Sequence, residues 1–430
     1  MSSRSNAIRN RVPVTLLAAI VAVLAVPLPG ARLGDHGVEQ HQRPHTTGRQ
    51  HVLRGEPQRE PRRTLPAERD GRAQRHAVER KAKAAVPYQR GVTLGDWGPD
   101  AYAPAATRNA LSDLRLRGVG SVTLFVVWMQ RDERASTIAP GPSTVRTARL
   151  EGTIRIARSL GLDVVLRPFV DLVNRGWRGN ARPRHPAQWW RDYRRFVLRY
   201  ARVAQQTGVA MYVVGSEMKS QSARSRRWRA LVSDVRARFP GAVTYQANWD
   251  EFEAVDWWDA VDVIDVSGYF PLASGASASV QQLTAAWAGP RRRLGAGARR
   301  FRRPLMLGEV GFTTSAVTAV QPWNVELGGP PDPKAQARAY SATFRAWAGV
   351  RWFRGFHWWF VPADRRRVRT GLGHRHIPRK PALEVLTDRY RALTSANPAR
   401  SSAELQRESH APKTEGCPGP PESSCCSHRC

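Results

Sequence analysis

The sequence predicts an α/β fold: a (β/α)8 TIM barrel with disordered N- and C-terminal tails. Three observations lead there. Eight short apolar runs recur through the middle of the chain, nearly all of them continuous rather than alternating. Continuous apolar strands belong to parallel sheets buried on both faces. Helix-like segments separate the runs, and alternating strands and helices build an α/β domain. The body that holds them is roughly 300 residues long, and a (β/α)8 barrel needs about 250. An open doubly wound sheet is the alternative, but it usually carries a glycine-rich phosphate turn after its first strand. Here that turn reads "GDWGPDAY", which is no such fingerprint.

Taken in order, "GVTLG" (91–95) is the first strand, and the helix over "PAATRNALSDLRLRG" after it is closed by Gly118. "SVTLFVVW" (121–128) is the second strand, followed by a loop and helix over 143–160 that Gly161 stops. "DVVLRPFVD" (163–171) is the third. The clearest helix starts at Pro186, where Trp189, Tyr193, Phe196, Val197, Tyr200 and Ala204 fall on one face. "AMYVVGSE" (210–217) is the fourth strand, and a helix near 224–239 ends before Pro240. "AVTYQANW" (242–249), "VDVIDVSGYF" (261–270), "PLMLGEVGF" (304–312) and "FRGFHWWF" (353–360) complete the set. Helices fit near 278–299, 333–348 and 381–393.

The flanks differ in composition. Arg4, Arg9 and Arg11 precede an apolar run from Val12 to Leu28, so residues 1–31 read as a signal peptide or N-terminal anchor. The run is short for a membrane span of about 20 residues. "PLPGA", ending at Ala31, is the best cleavage candidate. A secreted or cell-surface protein is expected, with a membrane tether if the segment is retained. Residues 32–87 are an Arg-rich linker with few large apolar side chains and are expected to be disordered, as is the tail 397–430. The domain is then 88–396.

The net charge of +33 would ordinarily suggest nucleic acid. The basic residues are nearly all arginine, with lysine only at 81, 83, 219, 334, 380 and 413, and they are scattered through every segment. That pattern reads as a solvated surface, and no nucleic-acid partner is expected. Cys417, Cys425, Cys426 and Cys430 all lie in the C-terminal tail, so the body has no disulfide, no cysteine nucleophile and no thiolate metal site. His374 and His376 form an H-x-H pair with no third ligand, and no metal is expected.

In such a barrel the functional residues sit at the C-terminal ends of the strands. Read in order, those ends carry Asp96 and Trp97, then Trp128, then Asp171 and Asn174, then Glu217, then Asn248 and Trp249, then Tyr269, then Glu309, and last His357, Trp358 and Trp359. Sugars need this mixture, because their apolar faces stack on aromatic rings and their hydroxyls need fixed polar partners. Each residue also has a plainer role open to it. A tryptophan can be the lid of the core, Asp171 and Asn174 can cap a loop, and His357 can be a packing histidine. Glu217 and Glu309 could be buried ion pairs with two of the many arginines, a costly arrangement in a barrel mouth. Two glutamates at one mouth are what glycoside hydrolysis needs.

The stretches "GVTLGDW", "VVLRPFVD", "VVGSEM", "DVIDVSGYFPL", "PLMLGEVGF", "GFHWWF" and "HIPRKPALEVL" together resemble the clan A retaining glycoside hydrolases, and most closely family 113, the β-1,4-mannanases. The resemblance spans about 88 to 390. It implies Glu217 as general acid/base and Glu309 as nucleophile. It also implies Tyr269 as the hydrogen-bond donor to that nucleophile, and Asp171, Asn248 and the Trp358–Trp359 pair as sugar-binding residues. Trp97 and Trp128 join them as candidate substrate contacts. The expected partner is a polysaccharide or oligosaccharide, the expected state a monomer, and no cofactor is called for. Two residues depart from the pattern. Ser216 stands where many clan A enzymes have asparagine, and Arg167 where the family usually has lysine. Alternatives are a clan A enzyme acting on glucan, or a barrel that binds carbohydrate without cleaving it.

Overall fold

The computed structural model describes residues 86–364 and 380–395. The readings made above for residues 1–85, for His374 and His376, and for the tail beyond 395 lie outside the described residues. Eight parallel strands close into a barrel in chain order: β1 (Gln89–Gly95), β2 (Ser121–Gln130), β3 (Asp163–Leu172), β4 (Met211–Ser216), β5 (Ala242–Asn248), β6 (Val263–Ser267), β7 (Leu305–Val310) and β8 (Phe353–Pro362). Among the described residues, eight helices of at least seven residues lie between and after them: α1 (Pro104–Leu116), α2 (Thr147–Ser159), α3 (Pro186–Thr207), α4 (Ser225–Arg236), α5 (Val280–Ala286), α6 (Ala288–Phe301), α7 (Pro333–Trp347) and α8 (Lys380–Ser395). The predicted helix over 278–299 is in fact two, broken at Trp287. Pro290, in the first turn of α6, has no N–H to continue the ladder from α5. Ser279 and Gln282 form a reciprocal capping box at the start of α5. α3 begins with Pro186 and ends at Gly208, whose left-handed φ of 66° closes it.

Successive residues of a strand face opposite sides, and this sorts the core into two. Val126 and Trp128 of β2 pack outward among the helices, while Phe125 and Val127 point into the barrel. The barrel interior is itself layered. Val165, Met211, Val213, Val263 and Met306 form an apolar floor with Val86. Phe125, Phe169, Tyr269, Trp359 and Phe360, with Val127, form a mostly aromatic upper layer. Trp359 and Phe360 are consecutive, and the alternation lapses there, where β8 slips one residue against β1. On β3 the inward positions run Val165, Arg167, Phe169, so Arg167 lies between floor and upper layer. Thr123, Gln246, Asp265 and His357 hold similar positions on their own strands, and all five are nearly inaccessible to solvent. β8 passes very close to β1 at this level: a Cβ on Gly91 would lie 2.5 Å from the His357 ring, so only glycine fits.

Candidate active site

Glu217 follows directly on β4. Its φ is 54°, the left-handed region that a side chain other than glycine rarely enters. The surroundings hold it there. Its backbone N–H donates to the Gln246 carbonyl at 2.7 Å, and the Met218 N–H donates to the Tyr245 hydroxyl at 3.0 Å. Tyr245 in turn donates to the buried Glu251 at 2.5 Å. Backbone conformations of this kind cost about 1–3 kcal/mol and cluster at functional sites.

The Glu217 carboxylate accepts from Arg178 Nη1 at 2.8 Å and from Trp177 Nε1 at 3.4 Å, both on its Oε2. Arg178 is anchored on all sides. Its Nη2 pairs with Asp171 at 3.2 Å, its Nε donates to the Val170 carbonyl at 2.8 Å, and its guanidinium lies 4.5 Å from the Phe169 ring centre. Burial pushes the Asp171 carboxyl up, and Arg178 pulls it back.

Glu309, inside β7, is gripped on both oxygens. The Tyr269 hydroxyl donates to Oε1 at 2.8 Å, and Arg167 Nη1 donates to Oε2 at 2.5 Å. The same Nη1 donates to Gln246 Oε1 at 2.7 Å, which also accepts from the Ser216 hydroxyl at 2.8 Å. Burial raises the Glu309 carboxyl above the usual range. Arg167 opposes that, and the charge of Glu217 adds to it, so the two carboxylates feel one another. Above them Trp359 lies with its ring centre 5.4 Å from the Arg167 guanidinium and meets Trp97 edge-on at 6.5 Å. Trp249 stacks on Trp323 at 5.0 Å.

The sequence profile of Glycoside Hydrolase Family 113 matches residues 93–370. The chain belongs to glycoside hydrolase family 113. Among solved structures it is similar to the GH113 β-mannanase AaManA from Alicyclobacillus acidocaldarius in complex with ManMIm, at 28% identity and a TM-score of 0.64, over 72% of this chain and 99% of that one. Two structures of GH113 β-1,4-mannanase, one of them a complex, match at 26% and 25% identity, with TM-scores of 0.64 and 0.63, each over 71% of this chain and 99% of the other. No curated protein matches the sequence. The chain is thus a glycoside hydrolase, and the barrel mouth is where a family 113 enzyme would hold its sugar.

The mouth of this family 113 barrel brings together Glu217, Glu309, Tyr269, Asp171, Trp97 and Trp359. Two of the aromatic candidates are elsewhere. Trp128 is on the outer face of β2, stacked on Phe196 of α3 at 4.8 Å. Trp358 is on the outer face of β8, stacked on Tyr340 of α7 at 3.9 Å. Both are lids of the barrel–helix core, because a strand turns only every second side chain inward. Asn248 spends its amide on Asp250 at 2.8 Å and has no bond to either glutamate. His357 is a packing histidine: its ring contacts Thr123 at 2.8 Å and Gln89 at 3.3 Å, and burial lowers its pKa to about 3. The sequence reading missed Gln246, Trp177, Arg178 and Trp323. Gln246 could have been found, since it lies two residues before Asn248 on the same face of β5. The other three sit on loops, where no periodicity marks them.

Proposed function

We propose that this enzyme hydrolyses β-1,4-mannan with retention of anomeric configuration, using Glu309 as nucleophile and Glu217 as acid/base. The observation that carries the reading is the pair of glutamates at one barrel mouth, electrostatically coupled, with Glu309 fixed on both oxygens by Tyr269 and Arg167. Glu309 attacks the anomeric carbon while Glu217 protonates the departing oxygen, and a covalent glycosyl-enzyme forms. Glu217 then removes a proton from water, which displaces Glu309 and releases the sugar. Both glutamates are indeed ion-paired with arginines, as a purely structural role would have them. Such pairs add little net stability when buried, so stability alone is a weak reason for them. Arg178 takes only Oε2 of Glu217, so Oε1 remains to carry the proton, and Asp171 shares the arginine's charge.

Mannan is favoured over glucan because the three similar structures are described as β-mannanases. Trp359 and Trp97 offer the sugar an aromatic wall. The basic, apolar N-terminus supports an exported enzyme that meets its polymer outside the cell, a location that fractionation of the native host would check. Two variants test the chemistry. Glu217→Ala should lower polymer cleavage by roughly 10²–10⁴-fold while largely sparing the first step on an activated aryl glycoside. Glu309→Ala should lose the retaining reaction on every substrate. Added azide should yield a retained product from the first variant and an inverted one from the second. The opposite stereochemistry would exchange the two roles, and cleavage of cellulose in preference to mannan would replace the substrate.

A further inference from the structure

Arg167 sits at a middle inward position of β3 and is only 1% exposed. A guanidinium has five N–H donors. Among the described residues its only hydrogen bonds are those of Nη1, to Gln246 and to Glu309. Nε is buried without a partner, and Nη2 has no acceptor among the described residues. Buried donors are normally paired, so this cation is underused for one that only props a carboxylate. It lies against Glu309 on one side and under the Trp359 ring on the other, directly beside the carboxylate that attacks the sugar in the reading above.

The neighbouring hydroxyl donors are already committed. The Ser216 hydroxyl is bound to Gln246, and the Tyr269 hydroxyl to the other oxygen of Glu309. When Glu309 attacks the anomeric carbon C1, the hydroxyl on the adjacent C2 comes beside the attacking carboxylate. Hydrogen bonds to that hydroxyl strengthen in the transition state. We infer that Arg167 is the specificity-determining donor to the C2 hydroxyl of the sugar whose bond is cleaved. Its planar fork lets one residue hold the nucleophile through Nη1 and the sugar through Nη2 in a fixed geometry, where a lysine has to reach both from a single nitrogen. Mannose and glucose differ only in configuration at C2, so this contact is where the site tells them apart. The inference rests on the two-glutamate reading above.

The test uses the full chain and three aryl β-disaccharides. They share an outer mannose and differ only at C2 of the sugar joined to the aryl group: axial hydroxyl, equatorial hydroxyl, or none. The readout is the ratio of kcat/KM for the preferred hydroxylated compound to that for the deoxy compound. The intrinsic reactivity of each sugar cancels when this ratio is compared between variants. Arg167→Gln and Arg167→Lys should each lower the ratio by roughly 10- to 100-fold, the weight of a hydrogen bond from a charged donor. The lysine variant keeps a cation against Glu309, which protects the fold if the glutamine variant does not purify. Tyr269→Phe disturbs the same carboxylate from its other oxygen, and should slow both substrates while leaving the ratio unchanged. A wild-type ratio in either folded Arg167 variant overturns the assignment while leaving the mechanism standing. A wild type that turns over none of the three compounds, and no mannan, overturns the mechanism and this assignment together. A wild type that prefers the equatorial compound corrects the substrate alone, and the ratio is then read on that compound.

Discussion

Asp265 shows how much of this site depends on single buried groups. It lies on β6 and accepts the Gly308 N–H at 2.8 Å, an approach that only glycine allows, since a Cβ there would come within 2.1 Å of the carboxylate. Burial raises its pKa to about 8, with Arg167 pulling the other way. A carboxyl raised in the folded state keeps its proton where the unfolded chain, with a pKa of about 3.9, has lost it. Between those two values the native state binds more protons, so stability falls as pH rises from about 4 to about 8, and the contribution is level above that. Asp265→Asn removes this slope while keeping an acceptor for Gly308. The melting temperature of the variant relative to wild type should therefore climb from pH 5 to pH 8; a difference that is constant or falls would contradict a protonated Asp265. Asp265 did not stand out in the sequence, and Arg167 did so only as a departure from the family's usual lysine. One aspartate in an apolar strand carries no local signal, and the roles of both arise only because the barrel puts them on one level.

At the scale of an element, β8 carries the clearest lesson. The run "FHWWF" promised two tryptophans at the rim, and the strand supplies one, because neighbours on a strand face opposite ways. Trp358 belongs to the barrel–helix core and Trp359 to the mouth. Trp358→Ala should cost about 3–5 kcal/mol of stability, the usual range for truncating a buried tryptophan, and leave kcat/KM of the folded enzyme within a few fold. Trp359→Ala should lower kcat/KM on mannan by roughly 10- to 100-fold, equivalent to about 1–3 kcal/mol of lost contact. Equal effects of the two on activity would show that β8 does not sort them as described. The same alternation explains Trp128, misjudged for the same reason. Strand position was legible from the sequence. Strand phase was not, since a strand apolar on both faces gives no pattern to phase it.

The barrel as a whole was the most legible feature, because eight buried parallel strands each leave a continuous apolar run and each helix a periodic one. What surrounds it rests on composition alone, and one digestion tests that. A glutamate-specific protease suits this chain better than trypsin, because arginine is everywhere, including 365–379, where the sequence has no glutamate. Glu39, Glu68 and Glu79 lie in the linker, and Glu404, Glu408 and Glu415 in the tail. Within the barrel Glu217, Glu251 and Glu309 are buried, and cleavage needs a segment of backbone that can leave its hydrogen bonds. Composition marks the flanks, up to but not including Val86, which packs in the barrel floor, and from 397 onward, as the segments expected to be cut first. The product should run from near residue 80 to near residue 404, and it should keep the intact chain's molar activity on mannan. Loss of activity in step with loss of either flank would mean that the flank belongs to the catalytic unit, and that the domain does not end where its apolar periodicity does.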